Sequence, residues 1–155
     1  MDRYDFRFGG RRGFGLWRLL AALLLGLAAH DARANCTVSA GSVVFGSYDV
    51  FSAQPLDGAG SIGIDCDPAT PYSISLGTGG GSYGQREVAS GGDSLGYNLY
   101  TGATRVVVWG DGSGGTGTVG GSTAQASHTV YGRIPAGQNV PAGSYGDTII
   151  VTVSF

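Results

Sequence analysis

The sequence predicts an all-β domain folded as a two-sheet sandwich. Short runs of alternating apolar and polar residues recur along it, and most of its 30 glycines fall between those runs. Beyond the first 34 residues no 11-residue window has helical periodicity. Many short strands divided by turn signals are the pattern of a sandwich.

Taken in order, the predicted strands are 37–39, 43–48, 60–66, 72–77, 94–101, 106–109, 127–134 and 148–155. Asp67-Pro68-Ala69-Thr70-Pro71, Pro135-Ala136-Gly137-Gln138 and Pro141-Ala142-Gly143-Ser144 supply proline or glycine where a turn needs a special φ. Segments 78–84 and 110–121 are so rich in glycine that they read as mobile loops, because glycine is depleted in strands. The last strand is the clearest. Ile149, Val151, Val153 and Phe155 share one face and Thr148, Ile150, Thr152 and Ser154 the other. At a sheet edge such a strand offers unpaired backbone groups beside an apolar row, a template for a strand from another chain.

Residues 1–34 read as a signal peptide, leaving 35–155 as one domain. Arg3, Arg7, Arg11, Arg12 and Arg18 are basic, 19–29 is an apolar run, and Ala32-Arg33-Ala34 offers small residues for cleavage. The apolar run is shorter than the roughly 20 residues of a spanning helix, so no membrane span is expected after the leader. Arg11-Arg12-Gly13-Phe14 is a partial twin-arginine signal.

Residues 35–155 hold three Arg, no Lys and eight Asp plus Glu, a formal charge of three minus eight, −5. That balance lacks the cationic stripe of a nucleic-acid or anionic-membrane binder. Cys36 and Cys66 are the only cysteines, and in an exported chain an even count without CxxC spacing predicts one disulfide. His128 is the only histidine after residue 34, which argues against a metal site, and no cofactor is expected.

Three further motifs read as structural. Gly80-Gly81-Ser82-Tyr83-Gly84 fits GxSxG, but a nucleophile elbow needs a strand running into a helix, so no enzyme is expected. Asp111-Gly-Ser-Gly-Gly lacks the further acids of a calcium loop and reads as a solvated turn. Arg133, between Tyr131 and Ile134, is expected to pair with Asp147 or another acid, and Trp109 is expected to be buried.

Together, Cys36-Thr-Val, Val44-Phe-Gly-Ser-Tyr48, Ile64-Asp-Cys66, Gly96-Tyr-Asn-Leu-Tyr100, Val108-Trp-Gly-Asp111, Tyr131-Gly-Arg-Ile-Pro135, Gly137-Gln138, Pro141-Ala-Gly-Ser-Tyr145 and the final strand resemble the spore coat protein U domain family. That family includes subunits of archaic chaperone-usher pili. The resemblance implies an immunoglobulin-like β-sandwich lacking one strand, which a periplasmic chaperone and then a neighbouring subunit supply by donor-strand complementation at an outer-membrane usher. It implies passage through the periplasm to the cell surface. Ile149, Val151, Val153 and Phe155 are the residues expected to meet the partner strand. Only Asn35 separates the expected cleavage position from Cys36, so the domain is expected to accept a strand without donating one, as at a fibre tip. The competing reading is a self-complete secreted module that contacts carbohydrate or a cell surface through its glycine-rich loops.

Overall fold

A computed structural model describes residues 35–155; the expected leader over residues 1–34 lies outside them. Among the described residues there are nine strands and no helix: β1 (Asn35–Ala40), β2 (Leu56–Asp67), β3 (Tyr72–Leu76), β4 (Gly80–Gly81), β5 (Arg86–Ser90), β6 (Asp93–Tyr100), β7 (Val119–Gly121), β8 (Gln125–Ile134) and β9 (Val151–Ser154). They form a six-stranded sheet, ordered β1-β2-β8-β6-β5-β4, and a three-stranded sheet, ordered β7-β3-β9. Every strand pairing is antiparallel. The all-β, immunoglobulin-like sandwich expected from the sequence is the architecture observed.

The long β2–β8 ladder, from Leu56↔Ile134 to Asp65↔Gln125, is the spine of the larger sheet. Its composition dictates which face is buried. Ile62, Ile64 and Cys66 of β2 and Val130 and Ile134 of β8 point into the core, while Asp57, Ala59, Ser61 and Asp65 alternate outward. Tyr72, Ile74 and Leu76 of β3 close the core from the smaller sheet. Trp109, fully buried as expected, donates its Nε1–H to the Ile74 carbonyl at 3.0 Å. Cys36 lies opposite Cys66 and is bonded to it, tying β1 to β2 as predicted.

Several boundaries differ from the sequence reading, each for a local reason. The segment expected as strand 43–48 makes only the Val44↔Ala59 bridge. Gly46, at φ 81°, breaks its extended run. Segment 106–109 likewise has bridges only, Tyr100↔Val108 and Trp109↔Gly117, beside Arg105 at φ 54°. The two segments read as loops each contain a short strand, β4 and β7, whose glycines pair with β5 and β3 through backbone alone. Strand β5 was not expected at all, because an arginine occupies its first inward position. Arg86 lies opposite Tyr97 in the β5–β6 ladder and is fully buried.

Among the described residues no carboxylate pairs with Arg86. Its Nε and Nη2 donate to the Gly77 carbonyl at 3.0 and 2.7 Å, Nη2 also to the Trp109 carbonyl at 2.8 Å, and Nη1 to Asn98 Oδ1 at 2.6 Å. Burial pulls the guanidinium pKa down, partly opposed by Tyr97, Tyr83 and Asp147. Arg133 pairs with an acid as expected, and that acid is Asp57 and not Asp147. It forms a bidentate pair with Asp57, at 2.7 and 2.9 Å, because Asp57 lies directly across the β2–β8 ladder.

Candidate functional site

A groove of about 1020 Å³ with an apolar floor opens into the core between two chain segments. Ile62, Leu76, Val88, Leu95, Leu99, Val130 and Ile134 contribute its floor, each no more than 8% exposed. One wall is residues 40–51 and the other is residues 140–149 with Val151.

The first wall leaves β1 with Gly41 N–H donating to the Ser61 carbonyl at 2.7 Å. Phe45 then lies across a glycine face of the larger sheet and meets the Tyr97 ring edge-on at 5.8 Å. A Cβ at Gly58 or Gly132 would collide with that ring, at 2.8 and 2.6 Å, so glycine is required at both for Phe45 to pack. Tyr48 fastens the far end of the wall. Its hydroxyl donates to the Pro135 carbonyl at 3.0 Å and accepts from Gln138 N–H at 2.9 Å.

The second wall changes sheets. Gly146 exchanges two backbone hydrogen bonds with Ala89 of β5, at 2.9 and 3.1 Å. Four residues later the Ile150 carbonyl accepts from Gly77 N–H at 2.9 Å, and β9 continues beside β3. Asp147 holds the crossing point. Its Oδ1 accepts from Gly80 N–H at 3.0 Å and Thr148 N–H at 2.7 Å, and its Oδ2 from the Tyr97 hydroxyl at 2.7 Å. Burial, followed by the nearby Asp147 carboxylate, pushes the Tyr97 phenol pKa up. A Cβ at Gly79 would land on that carboxylate.

Along this wall Tyr145, Asp147, Ile149, Val151 and Val153 are half-buried, and the intervening residues are exposed. β9 pairs only with β3, so its other edge is unpaired among the described residues. In an antiparallel ladder the residue opposite a hydrogen-bonded partner turns both backbone groups toward it, and its neighbours turn theirs away. Because Ile150 is bonded to Gly77, Thr152 also faces β3, and the N–H and C=O groups of Val151 and Val153 face the unpaired edge.

The residues predicted to meet a partner strand distribute along this feature. Ile149 and Val151 line the groove, Val153 packs on the core further along, and Phe155 lies past the strand at 59% exposure. Sequence reading missed the opposite wall, residues 40–51, and named Asp147 only as a candidate partner of Arg133. The Phe45 and Tyr48 spacing was visible, but nothing in it signals a groove. Elsewhere, Ser82 lies in the turn joining β4 to β5, where its Oγ accepts from Gln85 N–H at 3.3 Å. The His128 ring bonds the Tyr72 hydroxyl at 2.8 Å. The Asp111 carboxylate accepts from Ser113 Oγ and N–H, bonds that lower its pKa and close a local turn. No cluster of metal-ligating side chains and no helix long and apolar enough to cross a membrane occur among the described residues.

These features define a class: an antiparallel sandwich with an apolar-floored groove walled by the segment that leads into its last strand. Residues 23–152 match the Spore Coat Protein U domain, and the chain belongs to that family. It is 38% identical to Protein U of Myxococcus xanthus over 130 residues, covering 74% of this chain and 72% of that one. Its fold is similar to a chain in the crystal structure of the CsuC–CsuE chaperone–tip adhesion subunit pre-assembly complex, from archaic chaperone-usher Csu pili of Acinetobacter baumannii. The TM-score is 0.59 at 27% identity, over 79% of this chain and 40% of that one. This chain therefore spans less than half the length of that structural relative.

Proposed function

We propose that this protein is a structural subunit of a secreted surface assembly, a pilus or coat, and that its groove accepts one β-strand from a chaperone and then from a neighbouring subunit. The open apolar groove beside the unpaired edge of β9 carries this reading. A strand laid there pairs its backbone with Val151 and Val153 and sets alternate side chains on the floor of Ile62, Leu76, Leu95 and Leu99. Four or five such side chains, at about 1.5–3 kcal/mol each, bring roughly 6–15 kcal/mol before ordering costs. That is comparable to the whole stability of a typical domain, so an unfilled subunit is marginal and depends on its partner.

Family membership and the likeness to a chaperone–subunit complex support the same reading. Exposed backbone and apolar surface would favour aggregation during transit, which explains why a chaperone is the first occupant. A place at the end of an assembly fits best. Only Asn35 lies between the expected cleavage position and Cys36, too little to supply an alternating apolar segment.

Co-expression with a periplasmic chaperone of an archaic chaperone-usher system tests the proposal. Val151→Asp places a charge on the groove lining and is expected to abolish chaperone capture, whereas exposed Thr152→Asp is tolerated. Equal capture of both variants would mean that the groove does not take a strand.

A further inference from the structure

We propose that the groove selects a basic strand: the segment that fills it carries Lys or Arg flanking its apolar alternation. This rests on the strand-accepting reading above and adds the charge of the partner to it.

The domain has spent its cations internally. Of the three arginines in residues 35–155, Arg86 is fully buried on carbonyl and amide oxygens. Arg105 and Arg133 both engage one acid, Asp57, at 3.2 and 2.7 Å. The other seven carboxylate side chains have no ion-pair partner among the described residues.

Two of those seven, Asp49 and Asp147, line the groove, one on each wall, and among the described residues no Lys, Arg or His lines it. Asp147 occupies the half-buried row between Tyr145 and Ile149, where the alternation calls for an apolar residue. Its carboxylate accepts three hydrogen bonds, and a carboxylate has about four acceptor sites, so one remains. Arg86 feels the charge of Asp147 but forms no ion pair with it. Asp49 spends Oδ1 on Phe51 N–H at 2.9 Å, and among the described residues no group donates to its Oδ2.

Acids at the rim of a low-dielectric cleft focus a negative potential over it. A cationic flank on an incoming strand is drawn to both rims, and an acidic flank is repelled from both. The effect falls chiefly on the association rate, because rim charges steer encounter more than they hold a complex.

The test mixes the exported protein with two synthetic strands sharing one alternating apolar core, one flanked by Lys and the other by Glu. Uptake is followed by stopped-flow fluorescence. At about 20 mM salt the Lys strand is expected to enter about tenfold faster or more, and at about 1 M salt, where screening acts within about 3 Å, the two rates converge. Asp49→Asn and Asp147→Asn each narrow the ratio, since Asn keeps the Oδ1 acceptor while removing the charge. Should Asp147→Asn perturb folding, seen by circular dichroism, Asp49→Asn carries the comparison alone. Equal rates at low salt, or a faster Glu strand, overturn the charge selection and leave strand acceptance intact. Uptake of neither strand overturns both.

Discussion

Tyr97 and Asp147 are joined by a 2.7 Å hydrogen bond between a hydroxyl on a side chain that is 4% exposed and a carboxylate on the groove wall. Through it the six-stranded sheet grips the last segment at the point where that segment crosses to the smaller sheet. The groove wall is therefore positioned by a polar contact, although the groove floor is apolar.

Tyr97→Phe keeps the ring against Phe45 and removes only this bond. It is expected to cost about 1–2 kcal/mol, because Asp147 Oδ2 loses its donor in a half-buried site. A urea titration checks it: the midpoint falls while the slope is unchanged. An unchanged midpoint would mean that the wall is held by its backbone bonds alone.

Arg86 is the least interchangeable side chain of the core. Arg86→Met leaves the Gly77 and Trp109 carbonyls and Asn98 Oδ1 without that donor, and is expected to cost at least about 3 kcal/mol. Arg86→Lys recovers little, since an ammonium cannot span the fork that a guanidinium fills. Denaturant unfolding of both variants is the check, and a Met variant as stable as the parent would contradict it.

Asp57 gives the fold an acid-sensitive clasp. The Arg133 hydrogen bonds, against the opposing effect of burial and helped by the Arg105 and Arg133 charges, hold its carboxyl below the usual carboxylate value. A carboxyl whose folded value is depressed stabilises the fold above its unfolded pKa of about 3.9 and loses that contribution as pH falls through the folded value. The clasp is partly exposed, so about 0.5–1 kcal/mol is expected from it. Arg133→Gln should therefore be less stable than the parent at about pH 6, and the gap should shrink by about pH 3. A gap independent of pH would show that packing and not charge is responsible.

Much of this fold was legible in the sequence because period-2 alternation survives wherever one face of a strand meets the core. β2, β3, β6 and β8 were found that way, and the Cys36–Cys66 bridge followed from there being only two cysteines. The failures are equally physical. β5 was hidden by Arg86, an inward residue whose buried fork of acceptors comes from distant parts of the chain. β4 and most of β7 are glycines, which have no side chain to alternate, and in β7 only Val119 packs on the core. Residues 43–48 have strand composition but lie along the groove, with β2 on one side and open space on the other. Of the groove itself, the sequence revealed the Ile149 and Val151 row. The opposing wall depends on Phe45 finding Gly58 and Gly132, a tertiary match that no local pattern announces.

Hydrogen exchange at the amides of β9 tests strand acceptance most directly. Thr152 is opposite Ser75 and faces β3, whereas the Val151 and Val153 amides face the unpaired edge. On binding a donor strand, the account predicts that exchange at Val151 and Val153 slows by orders of magnitude while Thr152, already paired, changes far less. Unchanged exchange at Val151 and Val153 in the bound state would contradict it, because the partner would then have docked somewhere other than the groove.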